Sequence, residues 1–209
     1  MSTSDYTGKN LVCIFPGIGY TCDKPLLYYA GKIAKSYHYD VVRVDYTGFP
    51  KNIKGNENKI RKAVQKGVQQ AEIMLQDINW QNYAEVIFIS KSIGTVISVQ
   101  SAQKITRSVR HILLTPLKET FQKMQAVRAI SFHGTSDPWA DTTDIVKCCK
   151  RKDIPLYTFD KADHSLETGN IAKDLEILDK VCHEMDNVLG GRSLSIKINK
   201  KGDEKNENS

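Results

Sequence analysis

The sequence has no long uninterrupted apolar run. No stretch of its 209 residues approaches the roughly 18 to 20 consecutive apolar residues that a membrane-spanning helix needs. The first five residues, MSTSD, contain neither a basic segment nor an apolar segment after it, so we expect no secretory signal. Both absences favour a cytoplasmic protein that does not act at a membrane.

Cysteine is sparse and odd in number. The five cysteines do not form two pairs at metal-ligand spacing, and an odd count does not suit a disulfide framework. We therefore expect reduced thiols, as is usual in the cytosol, and we expect neither a metal ion nor an organic cofactor. The cysteines are Cys13, Cys22, Cys148, Cys149 and Cys182.

Acidic residues are outnumbered, which raises the possibility of a nucleic-acid partner. The chain has 30 lysines and arginines against 24 aspartates and glutamates, a formal net charge of +6. The basic residues are spread over many segments, however, without a basic stripe interleaved with aromatics, a zinc-finger spacing or a helix-turn-helix signature. We interpret the excess as a solvated basic surface and predict no nucleic-acid binding.

Short apolar runs and helical patterns alternate along the chain. Runs typical of buried strands lie at residues 11–15, 41–44, 86–89, 111–114, 129–132 and 156–159. Helical spacing or helix-end signals mark residues 25–37, 57–78, 94–103, 141–150 and 171–189. Repeated strand–helix alternation predicts an α/β protein, a three-layer α/β/α sandwich around a mainly parallel sheet of about six strands.

The length suits a single domain, which we assign to residues 1–189. Residues 190–209 begin with two glycines and continue into a segment rich in Lys, Asn and Glu, so we predict a mostly disordered polar tail. The alternating residues 194–198 leave one further short strand open. Fourteen residues separate the fourth and fifth predicted strands, too few for a large helical cap, which predicts an open, shallow site.

The segment SKSIG at residues 90–94 directly follows the apolar run 86–89. A strand that ends in small residue–x–Ser–x–Gly and then opens a helix is typical of a nucleophile elbow, a sharp turn that lifts a serine hydroxyl above the sheet edge. Ser90 replaces the usual first glycine, and Ser92 is the candidate nucleophile. An ordinary strand–turn–helix junction with two serines stays open as the alternative.

A hydrolytic serine needs a base, and the base needs an orienting carboxylate. Asp137 follows the fifth predicted strand in a polar turn, and His164 follows the sixth in a loop. Because parallel strands end at one edge of a sheet, all three side chains are expected at that edge. The order Ser, Asp, His therefore predicts a catalytic triad of Ser92, Asp137 and His164.

Other residues compete for two of these roles. Asp141 is a possible acid, but the threonines after it indicate a helix that begins there, which favours an N-cap. Asp163 is adjacent to His164, and neighbouring side chains seldom face each other well. His133 closes a strand before a glycine, so a structural role is the favoured interpretation.

Four motifs together resemble a known family. They are FPGIG at 15–19, SKSIG at 90–94, HGTSDP at 133–138 and ADHS at 162–165, within about residues 10–189. In this order the chain resembles an α/β-hydrolase, specifically the small, lidless dienelactone-hydrolase-like members. It departs from them at Pro16, where histidine often stands, and at Ser90.

The resemblance implies a serine hydrolase whose oxyanion hole is built from backbone N–H groups. By position these belong to Ile93, just after the nucleophile, and to Ile18, in the loop after the first strand. Tyr20 and Trp139 are candidate walls of the substrate site, with core packing as the alternative for each.

We therefore expect hydrolysis of small carboxylic esters or thioesters through an acyl-enzyme, with a small acyl compound as the partner. Two alternatives stay open. One is a catalytically silent α/β-hydrolase-like interaction protein, and the other is a peptide or lactone hydrolase that uses the same serine. The sequence does not predict the oligomeric state.

Overall fold

Six strands form the centre of the molecule. The computed structural model describes residues 8–125 and 128–192. The strands are β1 Lys9–Phe15, β2 Asp40–Arg43, β3 Tyr83–Lys91, β4 Arg110–Leu114, β5 Ala129–Gly134 and β6 Leu156–Phe159. They pair in the order β2-β1-β3-β4-β5-β6, and every pairing is parallel. The predicted six-stranded parallel sheet is therefore confirmed.

Helices follow the strands and cover both faces of the sheet. They are α1 Pro25–Ser36, α2 Glu57–Leu75, α3 Ile93–Ala102, α4 Lys118–Lys123, α5 Thr142–Arg151 and α6 Ile171–Leu189. Five of these correspond to predicted helices, and the six-residue α4 was not predicted. The three-layer α/β/α prediction is confirmed.

The two faces of the sheet come from strict alternation along the strands. In β1, Val12 and Ile14 pack with α1 and α6, whereas Leu11, Cys13 and Phe15 pack with α2 and α3. Successive side chains of a strand point to opposite faces, so a strand covered on both sides must be apolar throughout. This is why the buried strands read as continuous apolar runs.

The connection between β4 and β5 is the place where a cap domain was considered. Between β4 and β5 the described residues contain α4 and no inserted cap domain.

Among residues 8–125 and 128–192, no helix combines the length and apolarity needed to cross a bilayer. The predicted tail from residue 193 onward, with the alternative strand at 194–198, lies outside the described residues.

Candidate active site

Ser92 lies in the sharp turn between β3 and α3, with φ 56° and ψ −127°. A positive φ is costly for a non-glycine residue and persists where the surroundings enforce it. Gly94 supplies part of that enforcement. A Cβ atom at Gly94 would lie 2.4 Å from the carbonyl oxygens of both Phe15 and Pro16, so α3 can begin here only with glycine. The turn has the local geometry expected of the SKSIG segment.

Ser90 fits where a glycine is usual because its side chain is small and its hydroxyl has an acceptor. It is completely buried at the end of β3. Its Oγ lies 3.4 Å from the carbonyl oxygen of Ile112 on the neighbouring strand, to which it donates. The departure from glycine at this position therefore leaves no buried polar group unpaired.

The structure brings Ser92, His164 and Asp137 together in one hydrogen-bonded chain. His164 Nε2 lies 2.7 Å from Ser92 Oγ, and His164 Nδ1 lies 2.7 Å from Asp137 Oδ2. The three residues follow β3, β6 and β5, so each is delivered by the carboxyl end of a strand. Their predicted meeting at one sheet edge is the arrangement found.

Two further contacts fix the Asp137 carboxylate and the His164 ring. The buried Asp137 accepts a hydrogen bond from the backbone N–H of Trp139 at 2.8 Å. The Trp139 ring stacks on the imidazole, with centroids 5.4 Å apart and an interplanar angle of 26°. The carboxylate and the imidazole are thus each held by a second group.

Burial lowers the pKa of His164 below its ordinary value of 6.5, since a desolvated imidazole favours the neutral form. The hydrogen bond from Nδ1 to Asp137 opposes this, whereas the nearby Lys91 cation adds to it. The net direction of the pKa is downward, so the surroundings favour the neutral imidazole. A neutral imidazole with its Nδ1 bonded to a carboxylate can accept a proton at Nε2.

The competing residues have other partners. Asp141 caps α5, and its carboxylate accepts the N–H of Asp144 at 3.1 Å. The Asp163 carboxylate accepts the N–H of Ser165 at 2.7 Å and thereby stabilises the turn that follows His164.

His133 is fully buried and lies on β5 rather than in the loop after it. Its Nε2 bonds the Thr142 hydroxyl at 3.0 Å, while its Nδ1 is 3.9 Å from Asp137 Oδ2, too far for a hydrogen bond. Its contacts are those of the structural role that the sequence favoured.

Ile93 directly follows Ser92 in the chain, and Ile18 belongs to a turn that passes beside it. Ile93 is the first residue of α3, and Ile18 lies in a tight turn in which Gly17 N–H donates to Tyr20 O at 3.1 Å. A Cβ atom at Gly17 would come within 3.1 Å of Ser92 Cβ, so this turn passes directly beside the serine. In the part of the chain that the structure describes, neither isoleucine N–H donates to a protein acceptor.

Tyr20 lines a largely apolar pocket near the site. Its hydroxyl accepts the N–H of Leu26 at 3.2 Å, and its ring forms part of a cavity of about 310 Å³. Ser165, next to His164, lines the same cavity. The other lining residues are the apolar Pro25, Leu26, Leu166, Ile171, Leu175 and Leu178 and the acidic Glu167 and Asp174.

The sequence reasoning passed over Lys91 and Thr115. Lys91 is 1% exposed, and its ammonium donates to the Thr115 hydroxyl and to the backbone carbonyl of His164. The signal that could have found Lys91 is a charged residue in the middle of an otherwise buried strand-to-helix junction. Thr115 carries no such signal, because its importance comes from the residues that the fold brings to it.

Comparison with known proteins finds similarity in structure but not in sequence. No protein-family model matches the chain, and no curated protein matches it. A candidate hydrolase of the α/β superfamily from Xanthomonas campestris pv. campestris superimposes with a TM-score of 0.64 at 15% identity, over 88% of this chain and 99% of that one.

Two further solved structures have the same architecture. Est1E from Butyrivibrio proteoclasticus, solved with ferulic acid bound, gives a TM-score of 0.63 at 11% identity, over 92% of each chain. A Pyrococcus furiosus esterase gives 0.58 at 11% identity, over 86% of this chain and 83% of that one. With this strand order, this elbow and these neighbours, the chain has the α/β-hydrolase fold in a minimal form, with no cap domain among the described residues.

Proposed function

We propose that this protein is a serine hydrolase that cleaves small carboxylic esters or thioesters through an acyl-enzyme. The observation that carries the proposal is the His164 imidazole, hydrogen-bonded to Ser92 on one side and to Asp137 on the other at 2.7 Å each. A serine activated by an adjacent, oriented base is the arrangement that covalent acyl transfer requires. Hydrolases and an esterase among the solved neighbours support the reaction class.

Acylation begins when Ser92 Oγ attacks the carbonyl carbon of the substrate and transfers its proton to His164 Nε2. Asp137 holds the imidazole in the tautomer with hydrogen on Nδ1 and stabilises the imidazolium as it forms. Collapse of the tetrahedral intermediate breaks the bond to the leaving alcohol or thiol. The leaving group takes the proton from Nε2, and the acyl group stays on Ser92.

The negative charge on the tetrahedral intermediate needs preorganised donors. The backbone N–H groups of Ile18 and Ile93 are our candidates, because both residues lie next to Ser92 and neither N–H donates elsewhere in the described part of the chain. The N-terminus of α3 adds a partial positive charge at the same point.

Deacylation repeats the sequence with water. His164 Nε2 takes a proton from a water molecule, whose oxygen attacks the acyl carbonyl carbon. The new intermediate expels Ser92 Oγ, which recovers its proton from the imidazolium. The carboxylic acid leaves, and the enzyme returns to its starting state.

The surroundings of Ser92 favour a small substrate with an apolar part. The 310 Å³ cavity beside Tyr20 is at the lower end of the size range of small-molecule sites. We assign Tyr20 to the boundary of the acyl site and Trp139 to the opposite side, where its ring covers His164. A small acyl compound is therefore the proposed partner, rather than a nucleic acid or a membrane.

A fluorophosphonate probe tests the proposal, since it reacts covalently with an activated serine. Intact-mass analysis and peptide mapping of the wild-type protein should show one adduct, located on Ser92. Ser92→Ala should give none, and His164→Ala should label at least a hundredfold more slowly, because triad members act as a unit. Ser98→Ala is a matched control, since Ser98 is a buried serine of α3 that donates to Thr95 O.

A folded wild-type protein without an adduct would contradict the proposal and favour the interaction-protein alternative. A positive result would then be followed by p-nitrophenyl esters, thioesters, lactones and peptide amides. Faster turnover of a lactone or an amide than of any ester would replace the ester assignment while keeping the serine.

A cytoplasmic location is part of the proposal. All five cysteines are unpaired thiols, and four of them are buried, which suits a reducing compartment. Fractionation of source cells with an antibody to the protein would test this, and recovery outside the cytosolic fraction would contradict it.

A further inference from the structure

Lys91 is a buried cation beside the candidate nucleophile that the reaction does not use. It is 1% exposed, and among the described residues its ammonium donates to a hydroxyl and a backbone carbonyl rather than to a carboxylate. A buried charge without a carboxylate partner is costly, and a methionine, one atom shorter, would fill most of the space without that cost. The position between Ser90 and Ser92 has no residue requirement of its own in an elbow, so the lysine needs another explanation.

The ammonium joins the loops that meet at the site. It donates to the Thr115 hydroxyl after β4 and to the backbone carbonyl of His164 after β6. Thr115 Oγ1 in turn lies 3.1 Å from the same carbonyl, to which it donates. The Tyr20 ring covers the ammonium, with its centroid 4.9 Å from Nζ. Lys91 therefore contacts residues of three other connections, those after β1, β4 and β6.

Thr115 shows that this junction is held under strain. Its φ is 42°, in the left-handed region that a β-branched residue adopts at a cost of the order of 1–3 kcal/mol. The backbone is fixed there by hydrogen bonds, since Thr115 N–H donates to Phe132 O at 2.8 Å and Ser92 N–H donates to Leu114 O at 3.0 Å. The strain places the Thr115 hydroxyl between Lys91 and the carbonyl of His164.

We propose that Lys91 is a positioning residue that fixes the backbone carbonyl of His164 and thereby holds the imidazole within reach of Ser92. This inference rests on the proposed function. A lysine can do this because the ammonium has three donors on a stem long enough to cross from β3 to the loop after β6. The imidazole of His164 takes part in the reaction, whereas Lys91 holds the backbone carbonyl of the same residue.

The hydrogen bond from Lys91 to the carbonyl of His164 persists in both charge states of the lysine. Burial lowers the pKa of Lys91 from 10.5 to about 7. Three carboxylates oppose this shift, those of Asp137 after β5 and of Asp163 and Glu167 after β6. The hydrogen bond to the carbonyl of His164 does not need the charge, since a neutral amine still donates.

Lys91→Met tests the inference directly. We expect the melting temperature to stay the same or rise, because a buried charge is lost, while the second-order rate of fluorophosphonate labelling at Ser92 falls about ten- to a hundredfold from a misplaced imidazole. Lys104→Met is the matched control, since Lys104 is an exposed lysine paired with Glu72, and it should label at the wild-type rate. Labelling of Lys91→Met within twofold of wild type would overturn the proposal.

A second readout does not depend on activity. The Nδ1 proton that His164 shares with Asp137 should give a low-field proton resonance in the wild type and in Lys104→Met, and that resonance should disappear in Lys91→Met because the imidazole no longer keeps its place. An unchanged resonance would overturn the inference even if the wild type fails to label. If the wild type does not label but shows a resonance that is lost in Lys91→Met, the proposed function is refuted and the positioning role of Lys91 stands.

Thr115 provides a second pair of variants in case Lys91→Met does not fold. Thr115→Ala removes the hydroxyl that links the ammonium to the carbonyl of His164, whereas Thr115→Ser retains it. We expect slower labelling for the alanine variant and wild-type labelling for the serine variant. Equal rates for the two would show that the junction does not position the histidine.

Discussion

Gly134→Ala should disable the site from a distance. Gly134 ends β5 and passes against the chain that leads into His164. A Cβ atom built on it would lie 2.2 Å from the carbonyl oxygen of Ala162 and 2.6 Å from that of Asp163. Both atoms belong to backbone, which cannot rotate out of the way as a flexible side chain can.

The displacement follows from those distances. To reach 3.0 Å, below which real Cβ contacts essentially never occur, the backbone at Ala162 must recede by about 0.8 Å. If His164 moves with it, directly away from Ser92, the 2.7 Å hydrogen bond between Nε2 and Ser92 Oγ lengthens to about 3.5 Å, beyond the ordinary range. A shift of about 1 Å in a catalytic group costs on the order of a hundredfold in rate, and we expect that loss here.

The assay compares fluorophosphonate labelling rates, with circular dichroism to confirm folding. Gly31→Ala is the control, since Gly31 is a buried helical glycine whose added Cβ would lie at an ordinary 3.4 Å from Ile14 Cδ1. That variant should label normally and melt at the same or a higher temperature. Wild-type labelling of a folded Gly134→Ala would refute the reasoning, because it would mean that the loop accommodates the methyl group without moving His164.

Three other predictions concern the acid and the base. Asp137→Asn should lower ester turnover about 10⁴-fold with little change in KM, as steady-state kinetics would show, because the amide NH2 can hold the imidazole in the wrong tautomer and no longer stabilises the imidazolium. Labelling rate should fall as pH falls through the pKa of His164. Because burial holds that pKa below 6.5, the half-maximal rate in a pH titration should lie below pH 6.5 as well. Asp141→Ala should lower the free energy of unfolding by about 1 kcal/mol in urea titration, through loss of the bond to Asp144 N–H, and leave labelling unchanged. If Asp141→Ala lost labelling while Asp137→Asn retained it, Asp141 would be the orienting acid and Asp137 the structural residue.

The strands were predictable because both faces of the sheet are covered. Each strand centre is a run of apolar residues, and strand–helix alternation requires parallel pairing. The strand order was not predicted, since no local sequence pattern indicates that β1 lies between β2 and β3. The extent of β3 was also underestimated. Residues Tyr83–Glu85 are less apolar than the run after them, and their pairing with β1 draws them into the sheet.

The order of Ser92, Asp137 and His164 could be predicted because each follows a strand, and parallel strands deliver their ends to one edge. Lys91 and Thr115 could not, for a different reason. Their interactions converge on the carbonyl of His164, about 50 to 70 residues further along the chain. Contacts between residues this far apart leave no local pattern in the sequence. A backbone carbonyl is also present in every residue, so no residue type indicates which one accepts.

The distance along the chain has a consequence for folding. The hydrogen bond between Ser92 and His164 spans 72 residues, and the one between Asp137 and His164 spans 27. Helices and local turns form early, whereas contacts of this separation must wait until loop closure has brought β3, β5 and β6 into register. In a refolding experiment, recovery of Ser92 reactivity should therefore lag behind recovery of helical circular dichroism. The reactivity of Ser92 would report only the molecules in which the sheet is complete. Helical circular dichroism cannot distinguish these molecules from partly folded ones.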